Sequence, residues 1–397
     1  MPRRNGSFGD NRDAPSNRRV SVTLPQPGTD PGPLAPYDGI LLLSFGGPDK
    51  PDDVMPFLRN ATAGRGIPDE RLTAVAEHYY AFGGKSPIND QNRALLSALR
   101  EELDRREIPT PLLCGNRNFH PFLTDALREA HEAGVRRVVT IVTSAYSSYS
   151  SCRQYREDLA GAVQTLAAEG RVMEVDKVRP YFNHPGFSRV NTRHVTEAVR
   201  ALGPRADNDL RLVFVTHSIP AGMDDTSGPG DGEGNAYRRQ HLVLAAAITE
   251  EVNATLGRSL DHELVYCSRS GPPNQPWLEP DVNDALRALA ADGVKTVVLA
   301  PIGFVSDHME VRFDLDTEAA ETAAELGLEM VRVPTVGTDP EFVSGLVDLV
   351  SERAAQARGQ APVDVPSWPG SDAFPPVCRP GCCPNLRAAK PALCGSD

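Results

Sequence analysis

The chain has 397 residues, 24% charged and 40% hydrophobic, which is enough for two cores of ordinary domain size and excludes a single small module. With 41 basic against 53 acidic side chains and a net charge of -12, a general nucleic-acid binder is excluded, because phosphate attraction scales with accessible positive charge. No run approaches the roughly 20 apolar residues of a membrane helix and none resembles the apolar segment of a secretion signal, so no integral membrane segment and a cytoplasmic location are expected.

Residues 1–36 scatter Arg3, Arg4, Arg12, Arg18 and Arg19 among Ser, Asn, Pro and Gly. An arginine-rich targeting peptide and a plain disordered tail both fit, and Asp10, Asp13 and the prolines favour the tail. From Tyr37 onward, β-branched and leucine-rich runs alternate with helical patterns, as in βαβ architecture. The expected strands are Gly39 to Ser44, Thr110 to Cys114, Arg137 to Thr143, Val172 to Val178, Arg211 to Thr216, Glu263 to Cys267, Thr296 to Pro301 and Glu329 to Val333. Helices of period 3.6 are expected over Pro68 to Tyr80, Gln91 to Arg106, Thr124 to Ala133, Ser188 to Leu202, Gln240 to Leu256, Val282 to Ala291, Asp316 to Leu326 and Asp339 to Ala357. The fold class is α/β with parallel, doubly wound sheets.

Two echoes divide the chain. Asp125-Ala126-Leu127-Arg128 followed by Gly134-Val135 and a strand recurs as Asp284-Ala285-Leu286-Arg287 followed by Gly293-Val294 and a strand. With the prolines at 48 and 220 superposed, Leu41 to Pro48 also echoes Val213 to Pro220. Duplication explains both, although any two Rossmann-like halves share this grammar of helix, capping glycine and buried strand. Two Rossmann-like lobes are expected, 37–203 and 204–357, with a ligand cleft between the carboxyl ends of their strands. A Cys-rich extension, 358–397, follows, and its order depends on what its cysteines bind.

Candidate chemistry lies at two strand ends. An apolar strand delivers His217 into the turn that follows, and the second echo places Phe45 at the equivalent point of the first lobe. Past the strand ending at Pro301, Glu310, Asp314 and Glu318 recur at every fourth residue and form one carboxylate stripe on a helix. A solvated acidic face is one reading of it, and a track for a divalent cation or for protons is the other. No Gly-x-Gly-x-x-Gly, Walker lysine or Gly-x-Ser-x-Gly elbow is present, so nucleotide enzymes and α/β hydrolases lose their usual support. Cys378, Cys382, Cys383 and Cys394 crowd the extension and suggest a metal or cluster site.

Six ordered motifs carry a resemblance. They are Leu42 to Pro48, Phe82-Gly-Gly-Lys-Ser-Pro-Ile-Asn89, Gly115-Asn-Arg-Asn118, Tyr149-Ser-Ser-Cys152, Thr216-His-Ser-Ile-Pro220 and Gly303-Phe-Val-Ser-Asp-His-Met-Glu310. Over Tyr37 to Val350 the chain resembles ferrochelatases, specifically the actinobacterial-type branch with a [2Fe-2S] cluster. The resemblance implies two chelatase-type lobes and a lyase of heme biosynthesis that inserts Fe2+ into a porphyrin. It implies His217 and Glu310 as the catalytic pair across the ring and His217, Glu310, Asp314 and Glu318 as metal contacts, with Asp314 and Glu318 extending a metal or proton route outward. Metal insertion must displace two pyrrole protons, and those need an acceptor of suitable pKa within reach. Cluster ligands by resemblance are Cys152, Cys378, Cys382 and Cys383, with Cys394 able to replace one of the last three. Porphyrin contacts by resemblance are Phe45, Arg59, Arg65, Arg71, Ser86 and Asn118. Relatives that draw protoporphyrin IX from membranes carry an apolar lip, whereas Arg59 to Arg71 here is short, polar and cationic, so coproporphyrin III is the expected substrate and protoporphyrin IX the alternative. Product handover to a downstream heme-pathway enzyme follows from the same likeness. A cobalt or nickel chelatase for a precorrin-like ring, and a non-enzymatic tetrapyrrole carrier, are the rivals. The former usually lacks the cysteine tail, and the latter needs no proton acceptor.

Overall fold

Runs of Val, Ile and Leu too apolar to face water on either side form the central parallel strands, buried on both faces, while more polar segments such as Glu174–Lys177 and Glu329–Arg332 form edges. In the computed structural model, which describes residues 32–271, 274–360, 365–368 and 373–394, these strands make two sheets. β1 (Gly39–Ser44), β2 (Leu112–Asn116), β3 (Arg137–Val142) and β4 (Glu174–Lys177) lie in the order β2-β1-β3-β4. β5 (Leu210–His217), β6 (Asp261–Cys267), β7 (Thr296–Ala300) and β8 (Glu329–Arg332) lie in the order β6-β5-β7-β8. All pairings in both sheets are parallel. Residues 1–31, most of the expected tail, lie outside the described residues.

Both echoes fall at matching places in this topology. Helix Leu123–Glu132 leads into β3 beside β1, and helix Val282–Ala291 leads into β7 beside β5. Gly134 and Gly293, at φ of 97° and 90°, make the two helix-to-strand turns in a region that strains other residues.

The helical expectations need three corrections. Helix Pro51–Ala61 is absent from the expected set; Pro51 stands at its first turn, Val54, Phe57 and Leu58 bury one face, and Pro56 is accommodated inside it. Helix Gln154–Ala168 was hidden because its buried set includes Arg156 and Glu157, which break the apolar stripe. The helix expected from Asp316 begins earlier, as a π-helix over Val311–Ala319 that continues into α-helix Ala320–Leu326. A second π-helix, Tyr149–Arg153, carries Cys152 into helix Gln154–Ala168.

One continuous core spans both sheets, joining Ile40 and Val139 to Phe214 and Val298 through Phe342 and Leu346 of helix Pro340–Ala357. Polar bonds cross between the halves as well. Tyr146 Oη donates to the Ile302 carbonyl at 2.8 Å, and Gln91 Nε2 to the Asp307 carbonyl at 2.7 Å. Arg106 reaches Asp348 Oδ1 at 2.6 Å. The strand ends of the two sheets are thereby held in a fixed relation.

Gly303 sets the end of β5. Its N–H donates to the Val215 carbonyl at 3.1 Å, and a Cβ there would lie 2.1 Å from Thr216 Oγ1. Thr216 Oγ1 in turn lies 2.8 Å from the Tyr237 hydroxyl, which donates to the His217 carbonyl at 2.9 Å. Gly303→Ala should therefore cost about 1–3 kcal/mol, the usual penalty of overpacking, read as a lower urea midpoint at unchanged m-value.

Candidate active site

His217 is the last residue of β5 and pairs in register with Cys267 of β6. The chain beyond it is fixed by Ser218, whose N–H donates to the Cys267 carbonyl and whose hydroxyl donates to the Leu278 carbonyl, each at 2.8 Å. Imidazole Nδ1 contacts the Ser218 carbonyl, so it carries a proton, and Nε2 faces Glu310 Oε1 at 3.7 Å. Glu310 stands at the start of the Val311–Ala319 π-helix. Its other oxygen, Oε2, is 4.0 Å from His308 Nδ1.

The pair keeps 32% and 46% of its side-chain surfaces accessible, the rest being covered by protein. Desolvation pulls the His217 pKa down, but the Glu310 carboxylate, the Ser218 carbonyl and Asp314 outweigh it and push it up to about 8. Desolvation likewise raises Glu310, and His217 and His308 more than reverse that, leaving it at about 2. Asp314 goes the other way. Desolvation and the charges of Glu310 and Glu318 carry it up to about 7, against a hydrogen bond from the Ser268 hydroxyl and the attraction of His217. Glu318, farthest along the row and exposed, is raised chiefly by desolvation. The π turns keep the three carboxylates on one side, and their proton affinity changes steeply from the first to the second.

The opposite wall is aromatic. Phe45, just past β1 and 39% exposed, meets Phe57 edge to face at 6.1 Å, and Phe57 meets Tyr79 at 5.7 Å. Tyr79 feels the charge of Glu310, which links this wall to the acid row. Beside it His78 stacks on Phe313 of the π-helix at 3.9 Å, and the Arg117 guanidinium lies 5.8 Å from the Phe45 ring centre.

Ser86 and Asn118, expected against a ring, are buried beside the turn that presents Phe45. Asn118 Nδ2 donates to the Phe45 carbonyl at 3.1 Å, and a Cβ on Gly47 would lie 2.7 Å from Ser86 Cβ. The cationic rim is also not a bare loop. Arg59 ends helix Pro51–Ala61 and is ion-paired to Asp69 at 2.7 Å, while Arg71 sits in the first turn of helix Asp69–Ala81. Arg65, exposed in the intervening turn, has its pKa lowered by desolvation and then by the like charges of Arg387 and Arg117 nearby.

Cys152, Cys378, Cys382 and Cys383 form one buried group drawn from two distant segments. Their thiols hydrogen bond in sequence, Cys152 with Cys378, Cys378 with Cys382 and Cys382 with Cys383. Cys394 stands beside this group rather than in it: its Sγ is 3.4 Å from the Val175 carbonyl, and it shares Lys177 as a neighbour with Cys152 and Cys378. Among the described residues, no three or more His, Cys, Asp or Glu side chains already stand as a metal-holding set. Four of the neighbours named above were given no role in the sequence reading, although His308 and Arg117 lie inside the quoted motifs: His308, Ser268, Tyr79 and Arg117. Ser268 had a signal, because it follows the strand position that pairs with His217.

A two-lobed α/β chain with an ion-paired imidazole and graded carboxylates at converging strand ends has the equipment of an enzyme that moves protons at a bound ligand. A family model described as ferrochelatase matches residues 37–354. The chain belongs to the ferrochelatase family. A Streptomyces griseus protein named coproporphyrin III ferrochelatase is 53% identical over 366 residues, covering 91% of this chain and 97% of its own length. A Leifsonia xyli protein of the same name is 53% identical over 374 residues, covering 90% and 94%. A solved structure of SirB from Bacillus subtilis with Fe3+ aligns over 81% of this chain and 97% of its own at 11% identity and a TM-score of 0.45, a distant likeness. Among the described residues no helix is long and apolar enough to cross a membrane.

The raised histidine gives the pH test its sign. A pKa of about 8 against an ordinary 6.5 means that His217 contributes stability fully below pH 6.5 and loses it as pH rises through 8. In an NMR titration of the His217 ring, the midpoint should lie near 8 in the wild type and fall in Glu310→Gln, where desolvation is no longer outweighed by that carboxylate.

Proposed function

We propose that the chain inserts Fe2+ into coproporphyrin III in heme biosynthesis, releasing two protons for each ring metallated. The His217–Glu310 pair carries this reading, set at the strand ends of a chain matched along nearly its whole length by ferrochelatases. At neutral pH the pair holds its proton on the imidazole. An arriving dication drawn to Glu310 and Asp314 offsets the negative charge that keeps His217 protonated. The imidazole pKa then falls as the metal comes in, its proton leaves by way of Asp314 and Glu318 to water, and the free base accepts the two pyrrole protons in turn, each leaving by the same route. Asp314, with a pKa of about 7, can take up and give back a proton near neutrality, and Glu318 at the surface hands it to water. Phe45 packs against the macrocycle.

Coproporphyrin III is favoured over protoporphyrin IX by the relatives' names and by the rim. Arg65 and Arg71 have no ion-pair partner among the described residues, so both forks are available to ring carboxylates. The product would pass to a downstream heme-pathway enzyme.

Cys152, Cys378, Cys382 and Cys383 would hold a [2Fe-2S] cluster. Four buried sulfurs converging from two segments fit all-cysteine ligation, and the adjoining Lys177 is suited to their anionic form. Such a cluster, when bound, supplies a one-electron redox centre and ties the extension to the first lobe.

His217→Ala should reduce iron insertion by at least about 100-fold, the usual scale of general-base removal, while fluorescence quenching still reports porphyrin binding. Unchanged turnover in that variant would exclude the mechanism. With both porphyrins in detergent-free buffer, kcat/KM should favour coproporphyrin III, and a preference for protoporphyrin IX would reverse the substrate assignment. Purified protein should carry iron and acid-labile sulfide in equal amounts, and Cys152→Ala should lose both along with thermal stability.

A further inference from the structure

Lys177 ends β4 and is 3% exposed. Its ammonium donates one hydrogen bond, 2.7 Å long, to the carbonyl of Val178, and no carboxylate among the described residues is ion-paired with it. The ionisable groups that act on it are the thiols of Cys152, Cys378 and Cys394, together with a second cation, Arg156. Arg156 is itself fully buried, four residues after Cys152, and its Nε donates to the Leu393 carbonyl at 2.6 Å. The strand pattern confirms that Lys177 points inward, since it shares a face with buried Val175 while Glu174 and Asp176 point to the other side.

A buried ammonium next to another buried cation is strongly destabilising unless negative charge lies beside it. Neutral thiols do not provide that charge. Four cysteinates around two ferric ions and two sulfides do, because the assembly is a dianion, and a trianion once reduced by one electron. Burial and net charge set the potential of such a centre.

We propose that Lys177 is the buried countercharge of the centre held by Cys152, Cys378, Cys382 and Cys383, and that it sets both the retention and the reduction potential of that centre. This rests on the cluster reading above. Reduction adds one negative charge, so the nearby ammonium favours the reduced form. Lys177 is thus a positioning and tuning residue with no contact to the porphyrin.

The test is a redox titration of full-length holoenzyme, followed by visible absorbance and electron paramagnetic resonance, with iron and sulfide determined on each sample. Lys177→Met should shift the reduction equilibrium at least tenfold toward the oxidised form, a fall of about 59 mV for one electron. Lys177→Arg, which keeps the charge, should stay within threefold of wild type. Should Lys177→Met fail to accumulate, Lys177→Gln removes the same charge and keeps a donor for the Val178 carbonyl. Cluster loss in Met and Gln but not in Arg also supports the assignment. Equal loss in all three variants would point to shape and overturn it, as would a fully loaded Lys177→Met at the wild-type potential. A wild type without iron or sulfide would instead remove the cluster reading itself.

Discussion

The ion pair between His217 and Glu310, 3.7 Å apart, sets the protonation of the groups around it. Because Glu310 is ionised far below neutrality, its charge raises His217 and helps to raise Asp314. The pair therefore stores one proton on nitrogen and leaves a second carboxylate close to half-protonated at physiological pH. On the proposed reading, a cation entering this field would disturb these affinities together and so couple metal arrival to proton departure.

The scaffold makes that coupling possible by being symmetric in topology and asymmetric in chemistry. Two sheets with the same strand order present an aromatic wall from one half and titratable groups from the other. The shared core and the cross-bonds from Tyr146, Gln91 and Arg106 hold those walls in register. The extension adds another tie across the halves. Asn385 Nδ2 bonds Tyr149 Oη and Glu157 Oε2, each at 3.0 Å, while the Gly228 N–H reaches Cys383 Sγ at 3.4 Å.

Much of this architecture was legible because the strands are short, apolar and punctuated by glycine and proline, so a period of two or a solid run distinguishes them from helices. The strand-end residues His217 and Phe45 could be found from the echo alone. What escaped notice depends on contacts between distant segments. Helix Gln154–Ala168 looked irregular because the extension covers Arg156 and Glu157, turning a polar side into an interior one. Arg59 looked free until Asp69, across a turn, was seen to hold it. Ser86 and Asn118 have side chains suited to binding a ligand, and only tertiary packing shows that they support the turn beside them.

Both π-helices lie where the chemistry is, one bearing Cys152 and the other Asp314 and Glu318. A spacing of four looks the same in a sequence whether the hydrogen bonds run to the fourth or the fifth residue, so neither segment was recognisable in advance. Each wide turn accommodates more chain per revolution than an ordinary helix, and each runs directly into one. The number of residues between the strand end and the following α-helix is therefore fixed by function as well as by fold. Losing a single residue from either segment would leave a perfectly good α-helix and rotate everything beyond the deletion by about 100°. In descendants of this chain, the two stretches should keep their residue count even where residues other than Cys152, Asp314 and Glu318 change.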